Sequence, residues 1–293
     1  MPNLLDIRRR IKSVKNTQQI TKAMKMVSAA KLKRAQERVV TARPFANKMM
    51  QVLGDLAGRT GEDFHHPLLD ARQDERYLVV LITADKGLCG AFNTNLIKAT
   101  QSFMREHSDQ QVEILPVGRK GRDFFRRRGF SGPTEFVGLT AKGRVDLADA
   151  LEVARDLIQR FTEDETIDKV FIIYNEFKSV LQQRVLVEQL LPVGRISAAE
   201  QPAEPPENLI DYVYEQPREE IFSRLLPQMV ETQVFRALLE SVASEHGSRM
   251  TAMDSATNNA RELIDTLTLN MNRVRQAAIT NEIIEIVSGA SAL

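Results

Sequence analysis

The sequence cannot form an internal disulfide, because Cys89 is the single cysteine among its 293 residues. A lone cysteine fits a reducing compartment. The first ten residues, MPNLLDIRRR, contain no apolar stretch of the kind that a secretory signal needs. The longest apolar runs, such as YLVVLI at 77–82, are too short to cross a bilayer. We therefore expect a chain that is cytoplasmic or peripheral to a membrane.

Acidic residues are scarce at the start of the chain. Residues 1–40 hold eleven Lys or Arg residues against Asp6 and Glu37, a net charge of +9, although the whole chain carries only +1. This asymmetry predicts a basic segment that meets an acidic partner. Nucleic acid is the weaker alternative, because no aromatic residue precedes Phe45 and the cations surround the predicted helix rather than lining one face.

The first segment has the apolar spacing of a long coiled-coil helix. Alternating steps of three and four residues lead from Leu4 to Leu56 through sixteen positions, of which twelve are apolar. The four polar positions are consecutive, and they are Gln18, Thr21, Lys25 and Ser28. Beside them a second apolar set keeps the same spacing in a shifted phase, namely Ile20, Ala23, Val27 and Ala30. That set predicts a local change of supercoil.

The middle of the chain has a different periodicity, in which short apolar runs alternate with helical stretches. The strand-like runs are 77–83, 112–117, 134–137 and 168–177, and the helical stretches lie near 93–107, 119–129 and 143–162. This alternation is typical of parallel βαβ units. Residues 184–192 follow the fourth run after a short turn, so we expect them to pair antiparallel to it.

Helical spacing returns after residues 211–217 and continues to about residue 288, interrupted by Pro227 and Gly247. The fold class expected is mixed α/β: a long antiparallel coiled coil of the N- and C-terminal helices with an inserted Rossmann-like α/β domain. The expected domains are an N-terminal coiled-coil helix (1–56), a linker (57–76), the α/β domain (77–210) and a C-terminal coiled-coil helix (211–293).

The stretch TADKGLCGAFN, at 83–93, follows a predicted strand and opens a helix, where backbone N–H groups can hold a phosphate. No Gly-Lys-Ser/Thr follows, however, and a tight turn that needs glycine at Gly87 and Gly90 is the simpler interpretation. We expect Cys89 to be a buried thiol. The histidines have no partners at ligand spacing and no carboxylates pair, so we expect no catalytic residue, cofactor site or metal site.

The last seventeen residues contain only two charged side chains, Glu282 and Glu285, and their isoleucines point in several directions on a helix. A helix that is apolar on most sides must be enclosed. Either other chains surround this tip, or the tip packs on the α/β domain of its own chain.

Three stretches together resemble the gamma subunit family of F-type ATP synthases. They are ITKAMKMVSAAKLKRAQ (20–36), LITADKGLCGAFN (81–93) and the end of the chain from SEHGSRMTAMDSATNNA (244–260) to RQAAITNEIIEIVSGASAL. The order and the spacing of these stretches agree with the family over nearly the whole chain. The resemblance implies a central rotor shaft at the cytoplasmic face of a bacterial plasma membrane, with no cofactor and no catalysis of its own.

The resemblance also implies partners and contact residues. The terminal helices would turn inside a hexamer of alpha and beta subunits, while the α/β domain would be a foot on the epsilon subunit and the c-ring. Residues expected to face the hexamer are Met24, Lys25, Arg249, Gln276, Thr280 and Glu285. Tyr212 and Tyr214 are expected near the foot.

Two other functions stay open from the residues alone. A nucleotide-binding enzyme would use the turn at 85–93, and a coiled-coil scaffold or nucleic-acid adaptor would bind through residues 1–40.

Overall fold

The structure is a computed structural model that describes residues 4–59, 65–130, 132–140, 145–180, 182–193 and 217–290. Over these residues the elements are α1 (Leu4–Arg59), β1 (Arg76–Ile82), α2 (Phe92–Glu106), β2 (Gln111–Val117), α3 (Arg119–Arg126), α4 (Leu147–Glu163), β3 (Lys169–Phe177), β4 (Gln183–Leu191) and α5 (Arg218–Ala290). Within the same ranges, no helix combines the length and the apolar character that a bilayer crossing requires.

Contacts divide the chain into two compact units. The two-helix unit comprises Met1–Ala29 and Arg249–Leu293, and the α/β unit comprises Ala30–Ser248. Helices α1 and α5 each contribute to both. Pro44 lies inside α1 and Pro227 inside α5. Each proline removes a backbone donor without ending its helix.

The α/β unit is built on a four-stranded sheet with the order β2-β1-β3-β4. Strand β1 pairs parallel with β2 and β3, and β4 pairs antiparallel with β3. This confirms the parallel βαβ arrangement and the reversed last strand that the sequence predicts. Residues 77–82 of β1 are all buried, as expected of a central parallel strand covered on both faces.

The predicted strand at 134–137 is wrong. Phe136 makes only an isolated bridge to Val117. Pro133 precedes this stretch, and Gly138 follows it with a φ of 94°, a left-handed conformation that ends extended structure. Too few residues remain between them for a strand.

Helices α2 and α3 cover one face of the sheet. Tyr77, Val79 and Leu81 of β1 belong to one buried cluster with Leu96 of α2 and Phe125 of α3. Because side chains alternate along a strand, the neighbouring residues of β1 face the other side, where they are also buried. The last residue of β3, Phe177, forms hydrogen bonds with Arg43 of α1 and Glu240 of α5.

Candidate functional site

Two hydrogen bonds join α1 to α5 within the two-helix unit. The hydroxyl oxygens of Thr21 and Thr257 are 2.8 Å apart, and the Lys25 ammonium donates to Asp254 Oδ1 at 2.6 Å. The residue number rises along α1 while that of its partner falls along α5, so the helices are antiparallel. This confirms the predicted antiparallel pairing of the chain's two ends.

The repeat that runs from Leu4 to Leu56 keeps its phase through its four polar positions, so the same side of α1 is the less exposed side there. Thr21 and Ser28 are buried, whereas Ile20 and Val27 of the shifted set are 60% and 55% exposed. The predicted change of supercoil phase is therefore wrong. Thr21 and Lys25 find hydrogen-bond partners on α5, and a polar group that is hydrogen-bonded can lie in a helix interface at little cost.

The residues expected to face a partner differ in their exposure. Gln276, Thr280 and Glu285 are exposed on α5, and Gln276 and Thr280 lie one helical turn apart on the same face. Met24 and Lys25 are partly exposed on α1. Arg249, in contrast, is buried, with 8% of its surface exposed. Tyr212 and Tyr214 lie outside the described residues.

The tip of α5 is apolar and exposed. Ile279, Ile283, Ile284, Ile286 and Val287 are between 48% and 71% exposed. Within the two-helix unit, no described residue buries this tip, as the interpretation in which other chains surround it expects. An apolar surface of this kind marks a site for a partner.

The turn after β1 carries a buried carboxylate, Asp85, which is 6% exposed. Asp85 Oδ1 accepts hydrogen bonds from the backbone N–H groups of Arg119 and Gly138, each at 3.0 Å. Asp85 Oδ2 accepts from the Thr140 hydroxyl at 2.9 Å. Arg119 is the first residue of α3, so the carboxylate occupies the anion position at that helix N-terminus. The chain fills the position with its own side chain.

The turn at 83–93 needs glycine at one of the two predicted positions. Gly90 has a φ of 57°, but Gly87 does not lie in the left-handed region, and Leu88 does so instead with a φ of 62°. The expectation for Gly87 is therefore wrong. The sequence analysis missed Gly118, where a Cβ atom would lie 2.1 Å from the Thr83 carbonyl oxygen, too close for any other residue.

Cys89 is a buried thiol, as predicted, with 2% of its surface exposed. The Asn93 side-chain amide donates a hydrogen bond to its sulfur at 3.1 Å. The thiol therefore belongs to the packing of the turn.

A buried carboxylate that the sequence analysis missed holds α1, α5 and β3 together in the α/β unit. Glu240 of α5 is 1% exposed. It accepts hydrogen bonds from Arg43 Nη2 at 2.9 Å and from the Phe177 backbone N–H at 2.9 Å. Arg43 also donates to the Phe177 carbonyl oxygen at 3.1 Å. The available signal was a lone carboxylate within ALLESVAS, at 237–244, a run of apolar and small residues.

A groove of about 1030 Å³ lies between α1, the start of α4 and α5 in the α/β unit. Phe45 and Leu147 line it and are 62% and 53% exposed. Exposed apolar side chains beside a groove of this size suit contact with another chain.

Comparisons with known proteins agree over the full length. A family model described as ATP synthase matches residues 3–293. The ATP synthase gamma chain of Solibacter usitatus is 54% identical over 297 residues, covering 100% of this chain and 99% of the relative. The gamma chain of Pelotomaculum thermopropionicum is 47% identical, with both chains covered completely.

Solved structures agree with these sequences. The central stalk and c-ring structure of the Tetrahymena thermophila mitochondrial ATP synthase contains a chain 28% identical, with a TM-score of 0.58, covering 81% of this chain and 99% of that one. A chain of the Euglena gracilis mitochondrial ATP synthase, 18% identical with a TM-score of 0.66 and covering 99% and 94%, shows the same fold. The resemblance drawn from the sequence is confirmed, and the chain belongs to the ATP synthase gamma chain family.

Proposed function

We propose that this chain is the central rotor shaft of an F-type ATP synthase. It transmits torque between the membrane c-ring and the catalytic hexamer of alpha and beta subunits, and so couples ion flow to ATP synthesis or hydrolysis. The observation that carries the proposal is the antiparallel pairing of α1 and α5 together with an apolar tip that the described residues leave exposed.

The paired helices are suited to transmitting torque. The contacts of Thr21 with Thr257 and of Lys25 with Asp254 are directional, so sliding of one helix along the other breaks them. Apolar contacts at the tip are not directional, and they let the tip turn within a ring of subunits without a preferred angle.

The exposed polar residues of α5 are suited to changing contacts during rotation. We propose that Gln276, Thr280 and Glu285 meet the moving loops of the beta subunits, together with Met24 and Lys25 of α1. Arg249 belongs to the same proposed set, although its burial leaves little of its surface available. An asymmetric shaft biases the three catalytic sites differently, because nucleotide affinity follows the conformation that each site adopts.

The nucleotide chemistry then belongs to the partner subunits. The buried Asp85 closes the N-terminus of α3 to a phosphate. The chain uses no cofactor in this role.

We place the chain at the cytoplasmic face of a bacterial plasma membrane, attached through the complex. Residues 77–210 form the foot on the c-ring and the epsilon subunit, with Tyr212 and Tyr214 near it. Residues 1–56 and 211–293 supply the shaft, and 57–76 link the first helix to the foot. Similarity to bacterial gamma chains supports this location.

We further propose that the groove beside Phe45 receives the epsilon subunit, because Phe45 and Leu147 offer an exposed apolar surface there. Phe45→Glu places a charge in this apolar contact. The amount of epsilon subunit that co-purifies with the variant is therefore expected to be about tenfold lower than with wild type. Val40→Glu is the matched control, because Val40 is 65% exposed on the same helix and does not line the groove. Equal epsilon content in both variants would contradict this placement.

Co-purification tests the main proposal. The chain is expected to form a stable complex with the alpha and beta subunits and to have negligible ATPase activity by itself. Replacing Gln276 and Thr280 with alanine is expected to lower the ATPase rate or its coupling to proton transport while the complex still assembles. A chain that hydrolyses ATP alone, or that never joins the hexamer, would overturn the proposal.

A further inference from the structure

Five exposed cations belong to α2, to the end of α3 and to the two residues that follow α3. They are Lys98 and Arg105 of α2, Arg126 of α3, and Arg127 and Arg128 directly after it, and all five are exposed. We call this set the cationic patch. Its arginines at 126–128 form an uninterrupted run.

Three cations of the patch line a cleft of about 560 Å³. Lys98, Arg105 and Arg128 line the cleft, and its lining contains no carboxylate. Phe130, 39% exposed, also lines it. The Arg128 guanidinium lies 3.7 Å from the centre of the Phe124 ring, which orients that cation. Such a surface fits an anion that lies beside apolar groups.

The charge of the patch is local to this part of the unit. Residues 92–130 hold eight Lys or Arg residues against four Asp or Glu residues, a net charge of +4. Residues 131–193 hold seven against eleven, a net charge of −4. The cations are therefore concentrated on the α2 and α3 side rather than spread over the unit.

This side of the α/β unit is distinct from the Glu240 contacts and from the groove beside Phe45. Helices α2 and α3 cover the face of the sheet that carries Tyr77 and Val79. The Glu240 contacts with Arg43 and Phe177, by contrast, join α1 and α5 to the end of β3. The cleft and the groove beside Phe45 share no lining residue, so a ligand on the cationic patch leaves the groove free.

We propose that the cationic patch binds the anionic headgroups of the membrane surface directly. The proposal rests on the proposed function only in placing the foot close to that surface. Each Lys or Arg near an anionic leaflet is attracted to it, and clusters of four to eight such residues are typical of lipid-binding surfaces. The half-exposed Phe130 suits the boundary between headgroups and acyl chains.

Rotation favours lipid over an acidic surface of a stationary subunit as the partner, whereas an acidic surface of the c-ring, which turns with this chain, is tested through retention of the c-ring. Fixed carboxylates on a stationary subunit attract the patch most strongly at one angle and hold the rotor there. Headgroups in a fluid leaflet have no fixed positions, so their attraction does not change with the angle of the foot.

Vesicle flotation of the full chain tests the proposal. The chain is expected to bind vesicles that contain phosphatidylglycerol, less so as salt is raised, and not to bind vesicles of phosphatidylcholine alone. The variant Arg126→Gln, Arg127→Gln, Arg128→Gln is expected to lose about tenfold or more in affinity. The matched control is Arg8→Gln, Arg9→Gln, Arg10→Gln, a second arginine triplet, on exposed positions of α1.

Four outcomes would overturn the proposal. The first is no binding to anionic vesicles, and the second is an equal loss in both triple variants. The third is displacement of the chain from vesicles by millimolar inorganic phosphate at constant ionic strength, which identifies a soluble anion as the ligand. The fourth is loss of the c-ring from the detergent-purified complex of the 126–128 variant, which identifies a protein partner. Circular dichroism confirms that each variant is folded.

The same variants separate this proposal from the proposed function. A 126–128 variant that still joins the alpha and beta subunits but no longer binds vesicles supports both. A wild-type chain that binds vesicles through the patch and never joins the hexamer contradicts the rotor function alone.

Discussion

Individual buried polar residues fix how the parts of this chain meet. The Asp85 carboxylate accepts hydrogen bonds from two backbone N–H groups and one hydroxyl. The Glu240 carboxylate accepts them from the Arg43 guanidinium and the Phe177 N–H. A buried polar group without such partners destabilises the folded state. These side chains therefore select the one arrangement in which their partners are present.

Glu240 gives a direct test at this scale. Glu240→Ala is expected to lower the free energy of unfolding by about 1–3 kcal/mol, because the Phe177 N–H and the Arg43 guanidinium lose their acceptor. Glu231→Ala is the control, because that residue of α5 is only partly buried. Thermal unfolding of the purified chain measures both, and equal melting temperatures would show that the contact contributes nothing.

Asp74 makes stability depend on pH. Hydrogen bonds from Lys169, at 2.6 Å, and from Tyr77, at 2.5 Å, hold the pKa of the Asp74 carboxyl below its ordinary value of 3.8. The stabilisation is therefore present above that ordinary pKa and is lost as the pH falls through the lowered pKa. Asp74→Asn is expected to melt earlier than wild type at pH 7, with the difference disappearing in strong acid. The neighbouring Glu75→Gln serves as control, and a difference that is constant with pH would contradict the assignment.

At the scale of elements, helix α5 does two different things along its length. In the α/β unit its residues 237–247 are all buried, whereas in the two-helix unit residues 275–288 are all exposed. The first stretch holds the fold together, and the second is available to partners. A change in each stretch is therefore expected to affect a different property.

Ile284 tests the second stretch. Because its side chain is 56% exposed, Ile284→Asp is expected to leave the helix content and melting temperature of the isolated chain unchanged. In the complex the carboxylate is desolvated, so assembly or ATPase rate is expected to fall by about tenfold or more. Asn281→Asp adds the same charge at an exposed polar position and controls for charge alone. Full assembly and activity of the Ile284 variant would show that the tip is not enclosed.

At the scale of the whole molecule, torque transmission requires that both helices of the shaft turn as one body. The hydroxyl oxygens of Thr21 and Thr257 are 2.8 Å apart, so sulfur atoms placed there come within bonding reach. A covalent link at this position joins two parts of the rotor and no part of the stator.

Thr21→Cys combined with Thr257→Cys is therefore expected to form a disulfide on oxidation and to keep an ATPase rate in the complex within about twofold of the reduced form. The native thiol, Cys89, is buried and does not compete. Thr21→Cys alone controls for oxidation elsewhere. An oxidised double variant that stops turning over would mean that α1 and α5 move relative to each other during the cycle.

The sequence by itself determined the family and most of the elements, although not the irregular stretch at 134–137. The spacing of three and four residues from Leu4 to Leu56 predicts which side of α1 is apolar. The short apolar runs that alternate with helical stretches predict the parallel sheet. These are local properties, since each depends on residues close together in the chain. The rotor contacts at Gln276 and Thr280 came from resemblance and stay a prediction.

Only the tertiary structure decided which polar residues are buried and with which partners. Thr21 and Lys25 stay in the interface between α1 and α5 because Thr257 and Asp254 of α5 form hydrogen bonds with them. These partners lie more than two hundred residues away in the chain. Glu240 meets Arg43 across 197 residues. A polar residue in a sequence gives no sign of a partner at that distance, because the pairing exists only once the chain has folded back on itself.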